Sequence, residues 1–306
     1  MTTTDLLVDG ATLERLGTAA TWAEGPVWLP QERAVRFSDI PANRILQWAE
    51  STGAIEVHAS DVEFTNGRTL DLDGSVLQCS HGRRRVERVV GDEAVSVVDR
   101  WGAHRLNSPN DVVVKSDGTI WFSDPSYGIK REIEGHPGDL EYGDHYVFRL
   151  DPSTGDLRPV VTDVEMPNGL AFSPDESLLY VADSAVEQPS GTRPPEPPGG
   201  HSIHVYDVLE GRLAKNGRPF VEVDPGVPDG IRVDTRGNVW SSSFDSVQVF
   251  APGGDLLERI AVPEKVANLC FGGDDGSTLF IAASTSLYRI ETTVRDAAIV
   301  LKEGGR

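Results

Sequence analysis

The chain is poor in the residues that mark several large classes of protein. Only 2 of its 306 residues are cysteine, so it has neither a disulfide framework nor a paired-cysteine zinc or redox motif. It has no run of about 18 apolar residues, so we expect no membrane-spanning helix and no membrane partner. Basic residues are also few: 28 Lys and Arg stand against 48 Asp and Glu, which gives a formal charge of -20. Nucleic acid is therefore a poor partner, because phosphate binding needs clustered cations.

The cellular compartment can also be predicted from what is missing. The first residues lack both a basic leader and a long apolar segment, so no secretory signal is visible. Cys79 and Cys270 lie in apolar, strand-like patterns, where buried reduced thiols are expected. We therefore expect a cytoplasmic protein. The one basic run, residues 83–85, predicts an exposed turn or local ion pairs.

The chain is rich in glycine and proline, with 31 and 20 residues, and it contains a repeated hairpin. The clearest copy starts at Asn110. Its β-branched run, Val112 to Val114, leads through a Ser-Asp-Gly turn into a second run of strand-forming residues that ends at Ser123. This pattern predicts two antiparallel strands joined by a tight turn.

Five further copies of this unit occur along the chain, each with an oxygen-bearing residue just ahead of the first strand. These leading residues are Glu24, Asn66, Asn110, Asn168, Asp229 and Asn268. They stand about 40 to 60 residues apart, and four-stranded propeller blades repeat every roughly 40 to 50 residues. The sequence therefore predicts an all-β fold, a six-bladed β-propeller with a central metal site, in which residues 1–306 form a single domain.

The two longest intervals between copies each contain an insertion, residues 125–145 and residues 184–201. Long loops in compact folds often act as lids or binding loops, but composition does not show which face they cover. The segment ahead of the first copy, around Thr12 to Thr18, is expected to supply the outer strand of the last blade. That pairing would close the ring and remove its exposed sheet edges.

The six leading residues are expected to form a ring, because equivalent residues of successive blades surround the propeller axis. One alternative is that they are only turn formers, since Asn and Asp favour turns. Glu24 is not a turn former, and its occurrence at the same position of the repeated hairpin favours a ligand ring. Hard oxygen donors with two carboxylates suit Ca²⁺ best, with Mg²⁺, Mn²⁺ or Zn²⁺ as alternatives. A divalent ion with open positions points to hydrolysis of an ester-like or phosphoester-like bond.

Several short motifs occur in a specific order. They are Glu24-Gly-Pro, Arg105-Leu-Asn-Ser-Pro-Asn-Asp, Ser123-Asp-Pro, Pro167-Asn-Gly and Pro228-Asp-Gly. Together they resemble the hallmark motifs of the senescence-marker-protein/gluconolactonase family, over nearly the whole chain. This resemblance implies a six-bladed propeller that holds a divalent metal in its central channel and hydrolyses sugar lactones or related esters. It further implies Glu24, Asn110, Asn168 and Asp229 as metal ligands. Asp229 is also implied as the general base, with the alternative that it only holds the ion.

Five more residues are predicted to contact the substrate or support the ligands. They are Asn66 and Asn268 from the ring, His81 at the end of the second hairpin, and Arg105 and Asn107. His81 is expected at the channel mouth. The last two stand close to Ser108, where the animal branch of the family has an arginine that grips substrate. Ser108 is instead typical of the bacterial gluconolactonase-like branch.

The hypothesis from the sequence is a metal-dependent lactonase that opens a small-molecule sugar lactone to its aldonic acid. One alternative is a phosphotriesterase-type or arylesterase-type hydrolase, because diisopropyl-fluorophosphatase-like propellers share a Glu-Asn-Asn-Asp quartet. The other is a non-catalytic propeller that binds a partner and keeps a structural metal, since fold alone does not fix function.

Overall fold

The computed structural model describes residues 5–185 and 200–298. The strands in these ranges are β1 (Glu14–Thr18), β2 (Ala23–Leu29), β3 (Ala34–Asp39), β4 (Arg44–Ala49), β5 (Ala54–Ser60), β6 (Thr65–Leu70), β7 (Val76–Ser80), β8 (Arg85–Val90), β9 (Glu93–Val98), β10 (Arg100–Trp101), β11 (His104–Arg105), β12 (Val112–Val114), β13 (Ile120–Asp124), β14 (Tyr146–Asp151), β15 (Asp156–Val161), β16 (Pro167–Phe172), β17 (Leu178–Asp183), β18 (Ser202–Leu209), β19 (Leu213–Glu222), β20 (Ile231–Val233), β21 (Val239–Ser242), β22 (Ser246–Phe250), β23 (Leu256–Ala261), β24 (Val266–Gly272), β25 (Thr278–Ala283) and β26 (Ser286–Glu291). A short helix, α1 (Tyr127–Lys130), follows β13. The predicted all-β class is confirmed.

The described strands form six antiparallel four-stranded sheets, the blades. Their strand orders are β2-β3-β4-β5, β6-β7-β8-β9, β12-β13-β14-β15, β16-β17-β18-β19, β20-β21-β22-β23 and β24-β25-β26-β1, and β10 pairs separately with β11. The first strands of neighbouring blades contact one another all the way round, from β2 through β6, β12, β16, β20 and β24 back to β2. This closed ring confirms the six-bladed propeller.

The first strand of the chain completes the last blade, as the sequence predicted. β1 pairs antiparallel with β26, and Thr18 lies opposite Ser286. The two side-chain hydroxyls of this pair are 2.7 Å apart. The sheet formed by the last three strands of the propeller is therefore closed by a strand from the start of the chain, which covers an edge that would otherwise be open to aggregation.

One turn chemistry recurs in the hairpins that begin the blades. An aspartate Oδ1 accepts a hydrogen bond from the backbone N–H two residues later, at 2.9 to 3.0 Å, in Asp73, Asp117, Asp175 and Asp275. Such Asx turns let a short side chain satisfy the backbone where the strand ladder stops. The repeated turn sets the register of these four hairpins.

The core consists of apolar layers between adjacent blades. Trp240 of the fifth blade packs with Phe271 of the sixth, and Cys79 of the second packs with Val112 of the third. Both cysteines are free and buried, as expected. The central strands are accordingly buried on both faces, whereas outer strands such as β5 and β9 are largely exposed.

Two smaller expectations are also resolved. The basic run forms local ion pairs: Arg83 and Arg85 lie 3.4 and 2.7 Å from Glu87, and Arg84 lies 3.4 Å from Glu141. Among the helices of the described ranges, none is long and apolar enough to cross a membrane.

Candidate active site

The predicted ring residues come together at one end of the central channel. A cavity of about 110 Å³ is lined by Glu24, Asn66, Asn110, Asn168 and Asp229, among others. The sixth ring residue, Asn268, lies directly behind this wall and donates from Nδ2 to Glu24 Oε2 at 3.2 Å. Residues that are far apart in the sequence thus form a single polar site.

The backbone around the cavity shows why these positions carry Asn-Gly and Asp-Gly pairs. Gly67 N–H donates to Asn110 O at 2.9 Å, and Gly169 N–H donates to Asp229 O at 3.0 Å. A Cβ at Gly67 would lie 2.5 Å from Asn110 O, and one at Gly169 would lie 2.3 Å from Asp229 O. Each glycine therefore allows neighbouring blades to approach closely at the axis. Four of the ring residues lie inside first strands, which goes against the alternative that they only form turns, and the other two lie two residues before a first strand.

Glu24 and Asp229, two of the three carboxylates on the cavity wall, both have a raised pKa. Burial raises the pKa of Glu24 well above its usual range, and the charge of Asp229 raises it further. Burial likewise raises the pKa of Asp229 to about 6, although the ammonium of Lys265 partly offsets this effect. Two acids removed from water and close to each other favour the binding of a positive charge between them.

The amide side chains add uncompensated oxygen acceptors. Asn66 Oδ1 and Asn168 Oδ1 are both buried and have no hydrogen-bond partner among the described residues. A buried acceptor without a partner is costly, and a cation or a donating ligand relieves that cost. In the described ranges no group of three or more His, Cys, Asp and Glu side chains could hold a metal, so the donors here are mainly amides. Two carboxylates and several amide oxygens fit a hard divalent cation such as Ca²⁺.

The insertion at residues 125–145 covers this cavity, which composition could not reveal. Tyr127, Arg131 and Glu134 all contribute to the cavity wall. Arg131 Nη1 donates to Glu134 Oε1 at 2.8 Å, and its guanidinium lies 5.4 Å from the centroid of the Tyr127 ring. These three residues could not be predicted from the sequence, because their position depends on how the insertion folds back over the blades.

The rim also includes Trp22 and Lys265, which the sequence reading missed. The Lys265 ammonium stands over the Trp22 ring, 4.8 Å from its centroid. A signal was present in the repeat, because Trp22 precedes Glu24 by two positions and Lys265 precedes Asn268 by three. Residues just ahead of the ring positions share the same end of the channel.

The second insertion reaches the site at its first residue. Ser184 lines the cavity, and its Oγ donates to Pro228 O. Residues 186–199, which hold most of the predicted loop, lie outside the described residues.

Three residues predicted to contact the substrate are not on the cavity wall. His81 lies behind Asn66, with its Nε2 3.3 Å from Asn66 Nδ2. Arg105 donates from its backbone N–H to Glu141 Oε2 at 2.7 Å. Asn107 donates from Nδ2 to two backbone carbonyls at 3.0 Å each. Substrate contact by these three residues stays a prediction.

A buried carboxylate holds the loop that carries the ring residue Asn110. Asp124 accepts hydrogen bonds from the backbone N–H groups of Asn107 and Ser108, both at 2.8 Å, and from the Tyr142 hydroxyl. Burial raises the pKa of Asp124 to about 7, although these hydrogen bonds partly offset the shift. Asp124 is the aspartate of the Ser123-Asp-Pro motif, but the sequence indicated no role for it, since that role depends on contacts across the hairpin.

Fold and cavity together define a class: six-bladed propellers with an acid- and amide-lined site at one end of the channel. Residues 22–285 match the family model described as the SMP-30/Gluconolactonase/LRE-like region, and the chain belongs to this family.

Similar proteins agree with this membership. A gluconolactonase of Zymomonas mobilis is 32% identical, over 94% of this chain and 83% of the relative. A pentonolactonase of Haloferax volcanii is 31% identical, over 87% of this chain and 83% of the relative. The solved structure of a gluconolactonase from Xanthomonas campestris has 37% identity and a TM-score of 0.84, over 94% of this chain and 91% of that chain.

Proposed function

We propose that the protein is a divalent-cation-dependent lactonase that opens a sugar lactone to its aldonic acid. The observation that carries the proposal is the cavity itself. There the carboxylates of Glu24 and Asp229 share a small space with the amide oxygens of Asn66 and Asn168, which have no hydrogen-bond partner in the described part of the chain. The gluconolactonase and pentonolactonase relatives support the same reaction class. A small, polar, partly enclosed site suits a neutral polyhydroxylated ring better than an extended partner.

The residues proposed to hold the cation are Glu24, Asn110, Asn168 and Asp229. Their oxygens are hard donors, and the two carboxylates balance the charge of one divalent ion, for which Ca²⁺ is the best match. When bound, such an ion supplies Lewis-acid polarisation of the lactone carbonyl and lowers the pKa of a bound water.

Asp229 is assigned as the general base. Attack of water on the lactone carbonyl releases a proton, and a carboxylate at the cavity wall can accept it within hydrogen-bond reach. The alternative, in which Asp229 only holds the ion, is tested by the asparagine variant described in the Discussion. Asn268 supports the second carboxylate, because its Nδ2 donates to Glu24 Oε2.

Lys265 is assigned the role of stabilising the negative charge that the reaction creates. Opening of the lactone converts a neutral ester into a carboxylate, with an oxyanion on the way. The Lys265 ammonium lies on the cavity wall, and it lowers the pKa of Asp229, so it stands within electrostatic reach of the reacting group. Its cation–π contact with Trp22 fixes the ammonium at the rim.

A pH-stat panel tests the proposal. Protein stripped with a chelator is assayed with six- and five-carbon aldonolactones, an aryl ester and an aryl phosphotriester, with Ca²⁺, Mg²⁺, Mn²⁺ or Zn²⁺ added singly. We expect lactone opening that is lost on stripping and restored by a divalent ion. Full turnover by stripped protein would refute the metal requirement.

The same panel separates the two other functions. Faster hydrolysis of the aryl ester or phosphotriester would replace the lactonase assignment by the esterase alternative. Absence of any turnover, together with a metal-dependent rise in melting temperature, would leave a binding propeller with a structural metal. A cytoplasmic location is part of the proposal, because Cys79 and Cys270 are free thiols, as is usual in a reducing compartment.

A further inference from the structure

His81 lies between the ring of six leading residues and the insertion at residues 125–145, which covers the cavity. It is buried, with 1% of its surface exposed. Its Nδ1 lies 2.9 Å from the backbone carbonyl oxygen of Glu134 on the insertion, and its Nε2 lies 3.3 Å from Asn66 Nδ2 on the ring. Helix α1 packs against the His81 side chain, since a Cβ at Gly128 would come within 2.5 Å of the His81 Cβ.

The partners of His81 determine which of its nitrogens carries the proton. A carbonyl oxygen can only accept a hydrogen bond, so Nδ1 must be the donor toward Glu134. Burial lowers the pKa of His81, so its ring is neutral and Nε2 is an acceptor. This assignment follows from the carbonyl and not from the placement of any hydrogen atom.

The tautomer of His81 in turn determines how the Asn66 amide is oriented. An acceptor at Nε2 requires the NH₂ group of Asn66 to face the histidine. The other end of the amide, Oδ1, must then point away from His81. This oxygen is buried without a partner among the described residues, and Asn66 lines the cavity. Asn66 therefore presents an acceptor to whatever occupies the site.

We propose that His81 is a positioning residue that turns the Asn66 amide so that its Oδ1 accepts a hydrogen bond from a ring hydroxyl of the substrate. This inference rests on the proposed lactonase function and names a feature of the substrate that the site recognises. Asn66 lies outside the set of four residues proposed to hold the cation, and sugar hydroxyls are the donors that a lactone brings. A site built to bond a hydroxyl discriminates strongly against an analogue that lacks it.

The kinetic test compares δ-gluconolactone with δ-valerolactone, which has the same ester ring without hydroxyls. We expect His81→Phe and Asn66→Leu each to lower kcat/KM for δ-gluconolactone by about 10- to 100-fold, because the oriented acceptor is lost. Turnover of δ-valerolactone should change by less than about twofold, as should the Kd for Ca²⁺. The double variant should be no worse than Asn66→Leu, since His81 acts through Asn66.

His136→Phe is the matched control. His136 lies on the same insertion, but its Nε2 is 2.9 Å from Glu63 Oε2 and it does not contact Asn66. This variant should treat the two lactones as the wild type does. Equal losses on both substrates, additive losses in the double variant, or weaker Ca²⁺ binding in Asn66→Leu would each overturn the proposal.

A measurement without turnover separates this proposal from the lactonase assignment. Long-range ¹H–¹⁵N correlation of the wild-type protein near pH 7 should show His81 neutral, with Nδ1 protonated and Nε2 unprotonated. An Nε2-protonated or doubly protonated ring would overturn the proposal, whether or not the protein hydrolyses lactones. Failure of the wild type on every lactone, together with the expected tautomer, would instead refute the lactonase assignment and with it the hydroxyl as the ligand of Asn66.

Discussion

Replacing Asp229 by asparagine is expected to stabilise the metal-free protein and to reduce the stabilisation that a divalent cation gives. In the metal-free protein, Glu24 and Asp229 are two carboxylates in one cavity, the first buried and the second half-buried. Asparagine keeps the size and one oxygen donor but removes a negative charge. The stripped variant should therefore melt above the stripped wild type, whereas the loaded variant should gain less from the cation.

The size of the effect follows from the shift in the pKa of the Asp229 carboxyl group. Burial raises the pKa of Asp229 from 3.8 to about 6, so folding favours its protonated form. This contribution to stability is present below pH 3.8 and is lost as the pH rises through about 6. At pH 8 the loss amounts to ~3 kcal/mol before water at the half-buried side chain screens part of it. For a chain of this length we expect the stripped variant to melt roughly 3 to 5 °C higher.

The assay is thermal unfolding at pH 8 in chelator and in saturating Ca²⁺, together with kcat on the lactone. Loss of the base should lower kcat at least about a hundredfold. Asn168→Asp is the matched control: it adds a carboxylate, so the stripped protein should melt lower, and its effect on kcat should be milder. If stripped Asp229→Asn melts at or below the wild type, the ionised Asp229 carboxylate does not destabilise the metal-free cavity. Near wild-type turnover would rule out the base role and leave only the ligand.

Three further outcomes are expected. Lys265→Met should lower kcat/KM about tenfold and weaken inhibition by the aldonate product, whereas Lys265→Arg should not; equal product inhibition in both variants would contradict its assignment. Asp124→Asn cannot accept from both backbone N–H groups that the carboxylate serves, so urea unfolding should show a loss of about 1–3 kcal/mol, and an unchanged midpoint would exclude the anchoring role. Removal of residues 1–18 exposes the edge of β26, so the truncated protein should melt lower and aggregate; melting with the wild type would show that closure by β1 is dispensable.

The fold and the ring could be predicted because both depend on repetition. Glu24 and Asn268 are far apart in the chain, yet their common phase relative to an apolar strand placed them on one ring. Their direct hydrogen bond agrees with that placement. Strand period and turn chemistry are local properties, so one sequence is enough to read them.

The remainder of the site depends on contacts that have no period. Glu134 reaches the cavity only because the insertion folds back, and His81, one residue past the end of β7, meets the Asn66 side chain across the hairpin. Arg105 is near Asn110 in sequence, but its backbone N–H binds Glu141, away from the cavity wall. Closeness in sequence to a ring position was therefore a weaker guide than phase within the repeat.

Closure of the last blade by β1 has a consequence for the order of events during synthesis. Thr18 and Ser286 are 268 positions apart, so the first strand leaves the ribosome long before its partner exists. The sixth and first blades become neighbours in the same late event, and only then can Asn268 donate to Glu24. A chain released early has neither a closed sheet nor a complete cavity. Activity in this protein thus reports that translation has passed the sixth blade.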